Sequence, residues 1–160
     1  MKMARQTFNL LPASDRSAAV TLLNKLLATS TDLSIQAKHA HWNVSGCAFI
    51  AVHELFDRVN EESRDWADTI AERIAALGGM ARGTLQAAAG ATSLPTMTSG
   101  LADQQAYCTA IAKGLARFSA DTVAAIDTLE DTDCVTANML QDIARAADKL
   151  MFLVERHVGA

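Results

Sequence analysis

The stretch HAHWNVSGCAFIAVHELFD, residues 39–57, contains three of the chain's four histidines. It ends with His53 and Asp57, which are four positions apart and would lie on the same face of a helix. Taken alone, such a pair is more often a solvated feature of a helix surface. An imidazole and a carboxylate can also bind a metal ion, but two ligands are too few, so the chemistry depends on where further ligands lie.

A second pair with the same spacing, Asp68 and Glu72, follows in the same predicted helix. At ~100° per residue, these four side chains fall within an arc of ~100° on that helix. The two pairs are separated by ~22 Å along the axis, because each residue adds 1.5 Å. A straight helix therefore cannot bring both pairs to one ion.

A second copy of the chain removes this difficulty. If the helix packs against its twin, antiparallel across a two-fold axis near Glu62, His53 and Asp57 come opposite Asp68 and Glu72 of the other copy. A two-fold interface is self-complementary, and the arrangement therefore occurs twice per dimer. His41, at the end of the preceding helix, can close over the same place. We expect two identical sites, each with two imidazoles and three carboxylates.

This mixture of ligands favours iron, while manganese, zinc or cobalt can also bind such a site. Burial of several carboxylates without a cation is strongly unfavourable, which is a further reason to expect a bound metal. Helical bundles can also hold two irons within one subunit through Glu-x-x-His pairs. The sequence contains no Glu-x-x-His, and a site within one subunit is therefore not expected.

The helices that position these residues are visible as apolar stripes. The first predicted helix follows Pro12, takes Ser14 as its N-cap and ends near Trp42. The second runs from about Cys47 to Leu77, and its apolar residues recur at intervals of three, four and seven. The sequence therefore predicts long amphipathic helices in this half of the chain.

The other half repeats the pattern after a different connection. Gly78 and Gly79 predict a helix stop, and residues 80–100 are rich in small, Thr and Ser residues, with TLQAAA as a short helix. A third long helix begins near Leu101, and the acidic turn 130–133 separates it from a fourth. The prediction is an all-α four-helix bundle with one long crossover. Residues 1–12 form a short tail, and residues 13–160 form a single domain.

Composition limits the classes of function. The net charge is −4, and no apolar run approaches the ~20 residues of a membrane span, so we expect no membrane association. The three cysteines are far apart and include no CxxC motif, which favours a reducing, cytoplasmic location over a zinc or disulfide framework. Cys108 lies on an apolar stripe and is expected in the core.

Three motifs at fixed spacing resemble the signature of the Dps family, the ferritin-like mini-ferritins of bacteria. They are His-Trp-Asn at 41–43, Val-His-x-x-x-Asp at 52–57, and Asp-x-x-x-Glu-Arg-x-x-x-Leu-Gly-Gly at 68–79. The similarity extends from about Val20 to Glu155. It implies a ferritin-like bundle whose crossover carries a short helix and which assembles into a dodecameric hollow shell built from two-fold dimers.

The resemblance also implies an activity and its residues. Carried over by position, the metal ligands are His41, His53 and Asp57 of one subunit with Asp68 and Glu72 of its partner. Trp42 receives a catalytic role beside the centre, as a trap for oxidising equivalents. The implied reaction is ferroxidase chemistry. Fe(II) is oxidised to Fe(III) by hydrogen peroxide, or more slowly by oxygen, and the ferric mineral is stored in the cage, which protects the cell and its DNA.

Association with DNA is the alternative function. Family members that condense DNA tend to carry lysine-rich tails, whereas here only Lys2 and Arg5 precede the fold. Twelve short tails would present about two dozen cationic groups, so weak non-specific DNA binding and association with the nucleoid stay open. The acidic turn 130–133, with Asp142, also allows two interpretations: an iron entry route, or capping and solvation of the fourth long helix.

Overall fold

The computed structural model describes residues 6–159 and consists of helices joined by short turns and one long connection. Within these residues there are five helices and no strand: α1 Ala13–Asn43, α2 Phe49–Ala76, α3 Leu85–Ala91, α4 Gln104–Leu129 and α5 Cys134–Glu155. The all-α prediction is confirmed. No helix in this described part of the chain is long and apolar enough to cross a membrane.

The four long helices form two hairpins, α1 with α2 and α4 with α5, which pack together into a bundle. The crossover between α2 and α4 spans residues 77–103 and contains α3, which lies against α1. The side chain of Thr84 accepts a hydrogen bond from the amide of Ala87 and caps α3. The predicted short helix within a long crossover is therefore confirmed.

The core is continuous through the bundle, because each long helix contributes one apolar stripe. Trp66 of α2 is buried and stacks on Phe118 of α4, with ring centroids 5.3 Å apart. Trp66 is thus a core residue within the subunit. The largest fully buried side chains are Phe56, Phe118, Leu23, Leu33, Ile70, Ile74, Leu77, Ile111, Leu115, Leu129, Leu140 and Leu150.

Two glycines follow α2, and each position requires glycine for a different reason. Gly78 has a φ of 81°, in the left-handed region, and its amide bonds to the carbonyl of Ala75 at 3.0 Å. The amide of Gly79 bonds to the carbonyl of Ile74 at 2.9 Å, which completes a Schellman motif. A Cβ at Gly79 would lie 2.6 Å from both methyl groups of Val20. The predicted stop is confirmed, and close packing against α1 adds a second constraint.

The first helix follows Pro12 as predicted, but the predicted N-cap residue is wrong. Pro12, not Ser14, occupies the N-cap position, and it provides no side-chain hydrogen bond. The Ser14 hydroxyl instead donates to the carboxylate of Asp15. Two other long helices begin later than predicted: α2 at Phe49, and α4 at Gln104, where the Asp103 side chain caps the amide of Ala106. A side-chain cap fixes the start of α4 alone among these three, and apolar periodicity does not report it; α1 and α2 begin without one.

Asp133, at the end of the acidic turn, has a structural role. Its carboxylate accepts a hydrogen bond from the amide of Thr136 and so caps α5. It also accepts two hydrogen bonds from the Arg73 guanidinium, at 2.8 and 3.1 Å, which join the end of α2 to the start of α5. Burial alone would raise the pKa of Asp133, but the hydrogen bonds from Thr136 and Arg73 hold it below its ordinary value. For this residue the capping interpretation of the acidic turn is correct.

The three cysteines are free thiols. Cys108 is buried in the core, as predicted, and burial raises the pKa of its thiol to about 11. Cys47 and Cys134 are exposed. Residues 6–12 precede α1 without helical structure, and the Thr7 hydroxyl donates to the carbonyl of Ala76.

Replacement of Asp133 by Asn tests the buried ion pair, because Asn keeps the capping oxygen and removes the charge. The Asp133→Asn variant should be less stable by about 2 kcal/mol at pH 7, or roughly 4–8 °C in melting temperature. The folded state lowers the pKa of Asp133, so its stabilisation is complete above the ordinary value of about 3.9 and is lost as the pH falls through the folded value. Thermal melts of both proteins across this range should converge at low pH.

The exposed pair of Asp142 and Arg145 on α5 provides a matched control. Asp142→Asn should change stability by no more than about 0.5 kcal/mol, because both groups are largely solvated. An equal loss in the two variants would contradict the role given to Asp133, as would a difference between wild type and Asp133→Asn that does not change with pH.

Candidate metal centre

Polar contacts along the seam between α1 and α2 fix the register of this antiparallel hairpin. The Ser30 hydroxyl donates to the carbonyl of Ser63 at 2.7 Å, and the Asn60 side-chain amide donates to the carbonyl of Ser34 at 2.8 Å. All four residues are buried. A slip of one residue would leave these groups unpaired in the core, which costs about 1–3 kcal/mol for each. The register in turn places the end of α1 beside the start of α2.

His41 and His53 meet at this end of the hairpin and hold each other through the backbone. His41 Nδ1 lies 2.8 Å from the carbonyl oxygen of His53, and His53 Nδ1 lies 2.9 Å from the carbonyl oxygen of His41. A carbonyl only accepts hydrogen bonds, so each Nδ1 is the donor. In the neutral ring each Nε2 then keeps its lone pair. This is the tautomer that metal-binding histidines adopt when a backbone carbonyl orients them.

The two imidazole rings also pack against each other. Their centroids are 3.6 Å apart with an interplanar angle of 22°, and Phe49 packs on His53 with centroids 5.0 Å apart. Both histidines are half-buried. Hydrogen bonding and ring packing together restrict both side chains, so the pair is preorganised to act as two adjacent nitrogen ligands.

Asp57 lies one helical turn after His53 and forms an ion pair with Lys38 of α1. A hydrogen bond from the Lys38 ammonium lowers the pKa of Asp57 below its ordinary value, although burial opposes this shift. Both side chains of the ion pair are about one-third exposed. Asp57 is therefore an ionised carboxylate next to the histidine pair.

Lys38 was not among the residues predicted for this site. It lies one turn before His41, just as Asp57 lies one turn after His53. In an antiparallel hairpin that pairs His41 with His53, this spacing brings Lys38 opposite Asp57. The signal was present in the sequence, but it becomes readable only once the register of the hairpin is known.

Asp68 and Glu72 are exposed on α2 and lie well away from His53, as the ~22 Å expected from the helical rise requires. Asp68 borders a surface groove between α1 and α2 that Thr31, Ile35 and Ala71 also line. Within residues 6–159, no three His, Cys, Asp or Glu side chains are close enough to hold a metal ion. The structure thus joins His41 to His53, places Asp57 one turn further along α2, and leaves Asp68 and Glu72 apart from them.

The remaining predicted site residues lie elsewhere. Trp42 is 69% exposed on the single subunit, next in sequence to His41. His39, the third histidine of the 39–57 stretch, is partly buried. Lys2 and Arg5, the predicted contacts to DNA, lie outside the described residues.

Comparison with known proteins shows which family this chain belongs to. A family model described as a ferritin-like domain matches residues 20–159. The DNA protection during starvation protein of Agrobacterium fabrum is 35% identical over 154 residues, which cover 96% of this chain and 95% of that protein.

Two solved structures have the same fold over nearly their full lengths. Dps from Mycobacterium smegmatis, in its tetragonal form, is 34% identical with a TM-score of 0.87, and the match covers 99% of this chain and 96% of that one. Dps from Microbacterium arborescens in the high iron form is 33% identical with a TM-score of 0.87, and the match covers 96% and 99%. The chain therefore belongs to the ferritin-like proteins and, among them, to the Dps family.

Proposed function

We propose that this protein is an iron-sequestering ferroxidase of the Dps type, with its catalytic centre shared between two subunits. The observation that carries the proposal is the histidine pair, whose Nδ1 atoms are both engaged by backbone carbonyls so that both Nε2 atoms are left for a metal. Iron is the substrate of this centre rather than a resident cofactor. Membership of the Dps family supports both the iron chemistry and its protective role.

Each subunit supplies the two different halves of a centre, one at each end of α2. His41, His53 and Asp57 form one half, and Asp68 and Glu72 on the same helix form the other. An antiparallel contact between two copies of α2 would bring the halves together twice, because a two-fold interface repeats each contact. The exposed Ile35 in the groove beside Asp68 supports this face as the dimer contact, since a second copy would cover its apolar side chain.

The donor set of two imidazoles and three carboxylates suits Fe(II), and it would also accept zinc, manganese or cobalt. The iron content named for the Microbacterium arborescens relative supports iron as the physiological ion. We infer that six such two-fold dimers form the hollow dodecameric shell typical of the family. Ferric mineral would accumulate inside this shell, away from DNA.

The proposed reaction transfers two electrons to hydrogen peroxide. Two Fe(II) ions each lose one electron, the O–O bond breaks, and with two protons the products are two water molecules and two Fe(III) ions. Transfer of both electrons at one centre avoids release of a hydroxyl radical, which a single-electron step would produce. The protein contributes position and negative charge, and the iron performs the redox step. Trp42, next to His41, is the proposed trap for oxidising equivalents that leave the centre.

Direct DNA binding is the second candidate function, and the names of the curated relatives are the observation that favours it. The net charge of −4 per subunit opposes it, because association with phosphate depends on clustered cations. We propose that protection of DNA proceeds mainly through removal of iron and peroxide, and that direct binding is weak and limited to low salt.

Single substitutions in either half should abolish the ferroxidase reaction. In an anaerobic mixture of Fe(II) and hydrogen peroxide, the ferric absorbance should form at least about 10-fold more slowly in His53→Ala and in Asp68→Ala, because even outer partners of a metal site contribute this much. Exposed Glu54 and Asp127 lie outside the proposed donor set, and their alanine variants serve as controls of matched charge. Circular dichroism and sizing would verify that all four variants fold and assemble. Wild-type rates in both His53→Ala and Asp68→Ala would contradict the proposal.

Removal of the N-terminal segment tests the DNA interaction separately. Wild-type protein should retard plasmid DNA in a gel at low salt, and deletion of residues 1–8 should abolish the shift, since Lys2 and Arg5 are removed. Raising the salt concentration should also abolish it, because each phosphate contact releases counterions. Retardation that persists in the deletion variant would show that another surface binds DNA. Retardation of the wild-type complex that persists at 200 mM salt would contradict weak binding through phosphate contacts.

A further inference from the structure

We propose that residues 6–12, the strap that precedes α1, join two subunits: Phe8 and Leu10 dock on the start of α2 in a second copy of the chain and cover the shared centre from that side. The surface that receives them consists of Phe49 and Ile50 of the partner subunit. The inference rests on the proposed function, because it takes two copies of α2 to pack antiparallel. It adds to the centre a segment that supplies no metal ligand.

Hydrogen bonds hold the strap against its own subunit in a defined conformation. The Thr7 hydroxyl donates to the carbonyl of Ala76 at 3.1 Å and accepts from the amide of Asn9 at 3.2 Å. The amide of Leu11 donates to the side-chain oxygen of Asn9 at 3.0 Å. The Arg16 guanidinium donates to the carbonyls of Asn9 and Leu11. The strap is therefore attached both to the end of α2 and to the start of α1.

Attached and exposed side chains alternate along the strap. Thr7, Asn9 and Leu11 are partly buried against the subunit, whereas Phe8 is 97% and Leu10 100% exposed. To hold two large apolar side chains fully in water is unfavourable, because burial gains free energy in proportion to the apolar area removed from water. The strap sequence, QTFNLLP, contains no charged residue, so a second copy can cover it without desolvating an ion.

The two-fold contact proposed for α2 brings a matching apolar surface to the strap. Ala76, where the strap is attached, and Phe49 lie about equally far from Glu62, in opposite directions along the helix. An antiparallel contact with its axis near Glu62 therefore places Ala76 of one copy opposite Phe49 of the other. Phe49 and Ile50 are exposed on the single subunit, and residues 47–52 carry no charge. Both straps of a dimer would meet this surface, because a two-fold axis repeats each contact.

This contact closes one side of the shared centre. Glu72 lies one turn before Ala76 on α2, and Phe49, which packs on His53, lies one turn before it. A strap that bridges Ala76 and the partner's Phe49 thus lies beside both halves of the assembled centre. Exclusion of water at this place strengthens the attraction between the carboxylates and a bound cation.

Removal of the apolar side chains tests whether the strap covers the centre. In the Phe8→Ser, Leu10→Ser double variant of the full-length protein, a chelator should remove bound zinc at least about threefold faster than from wild type, because the strap no longer shields the centre. Val123→Ser, which changes an exposed apolar residue of α4, should leave this rate unchanged. Dissociation of the double variant into folded monomers would also support the strap as a contact between subunits. An assembled double variant with an unchanged rate would contradict the inference.

Cross-linking through the native thiol of Cys47 tests the contact itself. Cys47 is exposed, whereas burial raises the pKa of the Cys108 thiol to about 11, so Cys108 stays protonated at pH 7. In protein that carries Cys134→Ser, the further change Leu10→Cys should give a covalent dimer with a short bismaleimide on a denaturing gel. The strap is attached ~40 Å from the start of α2 in its own chain, at 1.5 Å per residue, so the link must join two subunits. Addition of Cys47→Ser should abolish it.

A separate variant distinguishes the strap from the two-fold contact on which it rests. Glu62→Cys, near the proposed axis, should cross-link to its own copy in protein that lacks Cys47 and Cys134. A dimer from Glu62→Cys, with none from Leu10→Cys or from a second variant, Phe8→Cys, would overturn the strap and leave the proposed function intact. Absence of a dimer from all three variants would overturn both. A Leu10→Cys dimer that persists after Cys47→Ser would also overturn the inference, because the strap would then meet another surface.

Discussion

The antiparallel register of α1 against α2 is the constraint on which the rest of the molecule depends. The buried Ser30 hydroxyl and Asn60 side-chain amide donate to the carbonyls of Ser63 and Ser34, and these two interhelical hydrogen bonds form at one alignment of the helices. Apolar packing alone tolerates small shifts, whereas a buried polar group without a partner costs about 1–3 kcal/mol. The interhelical hydrogen bonds therefore select one register of α1 against α2 among those that apolar packing would tolerate.

This register determines which residues meet where α1 ends and α2 begins. The alignment that pairs the buried serines and Asn60 also brings His41 against His53, where each ring bonds to the backbone of the opposite helix. One turn further along, the same alignment joins Lys38 to Asp57. Residues from two helices of one subunit thus make up half of the proposed centre. The other half lies on the same helix but too far away, so the length of α2 is itself the reason that the proposed centre requires a dimer.

Much of this arrangement was predictable from spacing, because helical periodicity is a local property. The long helices, the short helix in the crossover and the stop at Gly78 follow from apolar intervals and from the backbone freedom of glycine. The His53 and Asp57 pair is also visible, since four positions make one turn. Contacts between side chains on different helices are not local in sequence, so spacing within one helix does not predict them. The ion pair of Lys38 with Asp57 depends on a register that the sequence does not state directly.

The predictions of N-cap residues and of the first residues of helices were inaccurate for a related reason. Ser14 is a good N-cap residue by type, yet its hydroxyl bonds to Asp15, and Pro12 takes the N-cap position. Capping by the acidic turn was one of two predicted interpretations, but the ion pair of Asp133 with Arg73 was not predicted, because the two residues are 60 positions apart. Side-chain hydrogen bonds to nearby groups compete with capping, so residue type alone does not identify the N-cap. The sequence shows which side chains could form these hydrogen bonds, and the packed structure shows which of them do.

The shared centre is tested most directly by mixing two inactive subunits. His53→Ala and Asp68→Ala subunits, each inactive alone, would be co-assembled in equal amounts and assayed with Fe(II) and hydrogen peroxide. In a shared site, an Asp68→Ala subunit supplies intact His53 and a His53→Ala subunit supplies intact Asp68, so random pairing should restore about a quarter of wild-type activity. A site confined to one subunit would recover nothing. Mixed assemblies that form and remain inactive would contradict the account.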